Sequence, residues 1–168
     1  MLVSSPVRAV VVTDANLSPM TDTPSPGSAP SFPATVEDWT AAAAGTLIER
    51  LHIRLDEVSA DRTTGSMPVA GNTQPAGLLH GGASVTLAET LGSVAAQAHA
   101  GPDRAAVGIE INATHHRGTR SGWVHGVATA VHRGRTTAVY EIVVSDDAGR
   151  RVCTARLTCM VLAGGDAV

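Results

Sequence analysis

The chain has 168 residues, 43% of them hydrophobic, with a formal charge of -3 and a pI near 6.1. That length suits one core of ordinary size. The acidic balance argues against a general polyanion-binding surface, and Phe32, Trp39, Trp123 and Tyr140 are too few aromatics for base stacking, so nucleic acid is not an expected partner.

Residues 1–33 hold Pro6, Pro19, Pro24, Pro26, Pro30 and Pro33 among Ser, Thr, Asp and Ala, a composition that buries too little apolar surface to order itself. A tail is expected there, with one domain over 34–164. The first twelve residues carry one Arg and a short apolar stretch, without the sustained hydrophobic region of a signal peptide. The expectation is a cytoplasmic protein, with Met1 and Met20 both open as the start.

Thr35 to Ala44 reads as a helix with a capping-box start, Thr35 and Asp38, and a stop at Gly45. From Thr46 the pattern predicts a strand: Leu47, Leu51, Ile53 and Leu55 alternate with Arg50, His52, Arg54 and Asp56, with Ile48 as the one exception on the polar side. A second strand is predicted over 61–69, then a turn-rich loop over 70–77. A long helix follows over 81–100, closed by Gly101 and Pro102.

Four extended segments complete the chain, at about 105–115, 123–132, 136–146 and 151–162, with hairpin turns at Arg133–Arg135 and Asp146–Gly149. In the last segment Cys153, Ala155, Leu157, Cys159 and Val161 share one face. Its two cysteines are too far apart for a disulfide and read as reduced core thiols. The fold class is α+β, an antiparallel sheet wrapped around one long central helix.

Between Gly81 and Ala98 the only charged residue is Glu89, among small and apolar side chains. Such surroundings predict a dehydrated carboxylate that must be paired, neutralised or kept for chemistry. An arginine from a neighbouring strand is the plain alternative. Thr86, Glu89, Thr90, Ser93 and Gln97 interrupt the run, which favours a buried helix over a membrane span.

Gly81 and Gly82 open this helix with backbone that a substrate can approach closely, where unpaired amides can hold an oxyanion. Glu89 lies eight residues on, about 12 Å along the axis at about 1.5 Å per residue, beyond the reach of one side chain. If Gly81 and Glu89 act on one carbonyl, the glutamate comes from a second copy of the chain. Ser93 shares the face of Glu89, Gln74 offers a neutral donor and His80 adjoins the helix start. Each has a plain reading too: a Gly pair as a simple helix start, Gln74 solvated in its turn, Ser93 as packing.

Gln74, His80-Gly81-Gly82, Glu89 and Ser93, with the string QPAGLLHGGASVTLAETLGS, resemble the hotdog-fold thioesterases of the phenylacetate-degradation type. The resemblance is strongest to the branch that includes 1,4-dihydroxy-2-naphthoyl-CoA hydrolase and the Glu-dependent 4-hydroxybenzoyl-CoA thioesterase. It runs from Gly45 to Leu162 through Gly108–Ala113, His115, Arg117, Arg120–Gly122 and Arg156–Thr158. It implies a six-stranded hotdog fold, paired into dimers by joined sheets and into homotetramers as dimers of dimers.

The resemblance further implies an acyl-CoA thioesterase that hydrolyses an aromatic (aryl- or dihydroxynaphthoyl-type) or medium-chain acyl-CoA to free acid and CoA, with Glu89 as nucleophile or general base. The Gly81 amide polarises the carbonyl with help from Gln74 and His80, and Ser93 places water. Gly82, His115, His116, Arg117, Arg120, Arg133 and Arg135 suit substrate and CoA phosphates. No cofactor and no metal are expected: His115 and His116 are adjacent and point to opposite faces. Where the family often has a proline soon after the position of Arg117, this chain has Gly118–Thr119, which implies a looser loop. The alternatives are a proofreading hydrolase for misacylated carrier protein and a non-catalytic acyl-CoA-binding protein; hotdog dehydratases use a different His and Asp arrangement.

Overall fold

The computed structural model describes residues 32–163; the expected tail through residue 31 lies outside them. Helix α1, Val36–Ala42, starts on the expected capping box: Thr35 accepts from the Asp38 N–H and Asp38 accepts from the Thr35 N–H. The strand expected from Thr46 is instead a short helix, α2, Leu47–Arg50, followed by strand β1, Arg54–Glu57. Two local bonds decide it: Thr46 Oγ1 caps the Ile48 N–H and Glu49 accepts from the Gly45 N–H. Ile48 and Leu51, three apart, then face the core together.

The remaining elements fall within two residues of expectation. They are β2 Arg62–Pro68, α3 Gly81–Ala100, β3 Ala106–His115, β4 Trp123–Arg133, β5 Thr137–Asp146 and β6 Arg151–Val161. The six strands form one antiparallel sheet in the order β1-β2-β4-β5-β6-β3. With α3 packed across it, this is the hotdog architecture. One edge is the four-residue β1; the other is the ten-residue β3.

Leu87, Ala88, Leu91, Ala95 and Ala96 of α3 are fully buried against Met67, Val124, Tyr140, Ile142, Val144 and Leu157 of the sheet. The approach is close because glycines face each other. Gly65 pairs with Gly126 across β2 and β4, and a Cβ on Gly126 would stand 2.4 Å from Leu91 Cδ1. On the helix, a Cβ on Gly92 would meet Leu157 Cδ2 at 2.6 Å. Three side-chain vacancies thus let two large residues lock helix to sheet.

Cys153 and Cys159 are both free and buried on the inner face, as expected. Among the described residues no helix is long and apolar enough to cross a membrane.

Candidate active site

The start of α3 is a helix terminus with nearly all of its donors satisfied. His80 is the N-cap, and its ring Nδ1 accepts from the Gly82 N–H at 2.9 Å. Its carbonyl accepts from the Ala83 and Ser84 N–H groups at 3.0 and 3.2 Å. Among the described residues no acceptor meets the Gly81 N–H, so one amide of the first turn stays available. Because Nδ1 accepts, the ring proton sits on Nε2, which is left to donate.

The preceding loop holds Gln74 beside that amide. Asn72 is buried, donates to the carbonyls of Leu51 and Pro68 at 3.0 and 2.9 Å, and accepts from the His80 N–H through its own carbonyl at 2.9 Å. Gln74 Oε1 accepts from the Ala76 N–H at 2.5 Å, which turns the amide NH2 into the free end of the side chain. From the far side Leu79 N–H donates to Thr119 O at 2.7 Å, and a Cβ on Gly118 would stand 2.9 Å from Leu78. The Gly118–Thr119 loop is therefore packed down, contrary to the expected looseness.

Gln74, Gly81, Ser84, His115, Arg117 and Gly118 line one cavity of about 340 Å³. His115, from the end of β3, lies over Gly81: a Cβ there would be 2.9 Å from its Nε2. The lack of a side chain at residue 81 is thus required by a neighbouring ring as well as by access to the amide.

Glu89 departs from the expectation. It is exposed in the single chain, not dehydrated, and among the described residues no arginine or lysine pairs with it. The reason is its place on α3: Thr86, Glu89, Thr90 and Ser93 form a strip along the helix flank outside the core contact, with Glu89 Oε1 beside the β3 edge, where a Cβ on Gly108 would stand 3.6 Å from it. That strip, with Trp39 of α1, Leu47 and Ile48 of α2, and Val94, lines a second cavity of about 340 Å³. Ser93 shares this cavity, but no hydrogen bond joins it to Glu89. Beneath them lies the thiol of Cys159, pushed up to about 11 by burial first and by the Glu89 charge second, with the Ser93 hydroxyl opposing.

The two cavities have no residue in common. One chain therefore brings Gln74, His80 and Gly81 together and holds Glu89 and Ser93 together elsewhere.

The basic residues also form two groups. His115, His116, Arg117 and Arg120 lie at the start of α3, where His116 Nε2 meets Thr154 Oγ1 at 2.9 Å and Arg120 donates to the Ala76 carbonyl at 3.2 Å. Arg133 and Arg135 flank the β4–β5 hairpin at the other end of α3, where His99 Nε2 meets the Gly134 carbonyl at 2.9 Å. Arg133 pairs with Asp61 at 2.6 Å. A single chain does not unite these six residues.

Sequence reasoning passed over Asn72, Gln97 and Trp39. Gln97 is buried in α3, donates to Gly101 O and Arg104 O, and accepts from the Ala106 N–H, which fixes where β3 begins. A lone amide in a run of small residues was its only signal. Trp39 had none beyond its rarity, since nothing local says that its side chain lines a cavity along α3.

A family model described as Thioesterase superfamily matches residues 76–153. The chain is 46% identical over 129 residues to "Proofreading thioesterase EntH" of Cronobacter turicensis, covering 76% of this chain and 94% of that protein. It is 43% identical over 129 residues to "1,4-dihydroxy-2-naphthoyl-CoA hydrolase" of Escherichia coli, covering 76% and 95%. The crystal structure of thioesterase HI1161 from Haemophilus influenzae superposes with a TM-score of 0.76 at 34% identity, over 81% of this chain and 96% of that one.

Proposed function

This chain belongs to the thioesterase superfamily and is a thioester hydrolase; from that premise we propose that it cuts an aromatic or medium-sized acyl-CoA to free acid and CoA. The observation that carries the reading is the separation of two complementary halves: a Gly81 amide in one cavity and a Glu89 carboxylate in another, neither with a partner among the described residues. Two copies with antiparallel α3 helices would bring Glu89 of one to Gly81 of the other. The same two-fold would carry the Arg133–Arg135 hairpin toward the partner's 115–120 segment, uniting the basic residues that one chain separates. The minimal active unit is a homodimer, and a homotetramer repeats it.

In this assembly the Gly81 N–H, the Gln74 amide and the His80 Nε2–H polarise the thioester carbonyl and hold the charge that develops on oxygen. The Glu89 carboxylate either attacks the carbonyl carbon, expelling the CoA thiolate and leaving an anhydride for water to open, or takes a proton from water as that water attacks. Thiolate leaves readily in both routes, so no strong acid is needed. His115 stands over Gly81 and borders the thioester itself, while Arg117 and the partner's hairpin serve the phosphates.

Release of free thiol from benzoyl-CoA by wild type and by Glu89→Ala tests this directly; equal rates remove Glu89 from the chemistry. A second reading, clearance of wrongly loaded carrier protein, draws support from the likeness to a proofreading thioesterase. It predicts a higher kcat/KM for acyl-carrier protein than for the same acyl-CoA.

A further inference from the structure

Resting on the aryl-CoA reading, the next question is what the chamber beside Glu89 selects. Its wall is built by Leu47, Ile48 and Val94, which are apolar, by Thr86 and Thr90, and by Trp39. About 150 Å³ suffices for a benzene ring in an apolar cavity, so a chamber of about 340 Å³ holds an aromatic acyl group with room for substituents. Within this wall one atom is out of place. Among the described residues the Trp39 indole Nε1–H is buried and has no acceptor, a condition that only Thr119 Oγ1 shares there. Indole nitrogen can only donate, and a desolvated donor without a partner is disfavoured unless something outside the chain completes it.

We propose that Trp39 is a specificity-determining residue whose indole N–H receives an oxygen acceptor on the acyl group, so that the enzyme prefers oxygen-substituted aromatic acyl thioesters, such as hydroxyaryl ones, to plain or alkyl-substituted ones. The carrier of Trp39 fits the role. Helix α1 has no fully buried residue, so it can yield by the small amount that uncovering one donor requires. Its seven residues are fixed at one end by the Thr35–Asp38 capping box, which sets where the indole falls. The chamber reaches from Trp39 to Glu89, so a ring with its thioester carbon at the carboxylate can extend its substituents toward the indole.

The test measures kcat/KM on benzoyl-CoA, the 3- and 4-hydroxybenzoyl-CoA isomers and the matching methylbenzoyl-CoA isosteres. Wild type should prefer one hydroxy isomer to its methyl isostere by about tenfold or more, the discrimination expected for one buried hydrogen bond. Trp39→Phe, which keeps an aromatic wall and removes the donor, should bring that ratio close to one. A ratio unchanged in Trp39→Phe, or wild type with no preference for either hydroxy isomer, overturns the assignment. The wild-type comparison needs no variant, so a Trp39→Phe protein that fails to fold does not shelter the idea. If wild type hydrolyses none of these esters, the aryl-CoA reading falls; if it hydrolyses them without discrimination, only the role of Trp39 falls.

Discussion

The two halves of the site are built in opposite ways. At the start of α3 nearly every polar group is already engaged: His80 caps Gly82, its carbonyl takes two amides, Asn72 and Thr119 brace the loop, and the Gln74 carbonyl is tied to Ala76. What remains free is one amide N–H and a few side-chain donors, already aimed before substrate arrives. Eight residues on, Glu89 has no partner among the described residues and stands exposed beside an apolar chamber. The difference teaches that one chain carries a finished set of donors and an unfinished acid, and that the acid is completed from outside the chain.

The sharpest way to break this comparison is to remove the acid. Glu89→Gln should lower kcat by about a thousandfold, within the range for losing a catalytic base, while thermal stability holds because no ion pair is lost. A drop in both together would make Glu89 a structural residue. A Cβ at the finished half should cost less. Gly81→Ala forces the His115 ring away from its 2.9 Å approach and should reduce kcat by about a hundredfold, the scale of small misplacements near reacting atoms. Truncating the ring in the double variant Gly81→Ala, His115→Ala should restore part of that loss if crowding is the cause.

Outside both halves, effects should fall on stability. Gly126→Ala places a methyl 2.4 Å from Leu91 Cδ1 and should cost about 1–3 kcal/mol by urea unfolding, the usual penalty of overpacking. Smallest is the acid response of the β5–β6 hairpin. Hydrogen bonds from the Arg150 side chain and from backbone amides hold the Asp146 carboxyl below its ordinary value of 3.8. A depressed carboxyl stabilises the fold fully above that ordinary value, and the contribution disappears as pH falls through the lower folded one. Asp146→Asn should therefore be less stable than wild type at neutral pH and show a shallower fall in Tm below pH 4; equal slopes would discard the pairing.

Much of this was legible in the sequence for physical reasons that can be named. The α3 boundaries follow from His80-Gly81-Gly82 and Gly101-Pro102, and the β6 inner face from strict alternation through Cys153 and Cys159. Helix α2 was misread because Leu47, Leu51, Ile53 and Leu55 alternate, while Ile48, the apparent exception, marked a three-residue period with Leu51. Exposure of Glu89 was misread because alanines and glycines around it look apolar on every side. The smaller signal, Thr86, Glu89, Thr90 and Ser93 at helical spacing, marked a polar flank of the helix beside the β3 edge. The chamber under α1 was invisible because it depends on where a distant helix lands, and spacing along the chain carries no information about that.

Subunit complementation tests the shared site most directly. Glu89→Gln and Gly81→Ala chains, each nearly inactive alone, are to be coexpressed in equal amounts and assayed for thiol release from an acyl-CoA that wild type hydrolyses. If each site joins Glu89 of one chain to Gly81 of its twin, half the dimers are mixed and one of their two sites is intact, so activity should rise to about a quarter of wild type. Activity no greater than the average of the two variants would mean that each chain works alone, and the account would be wrong.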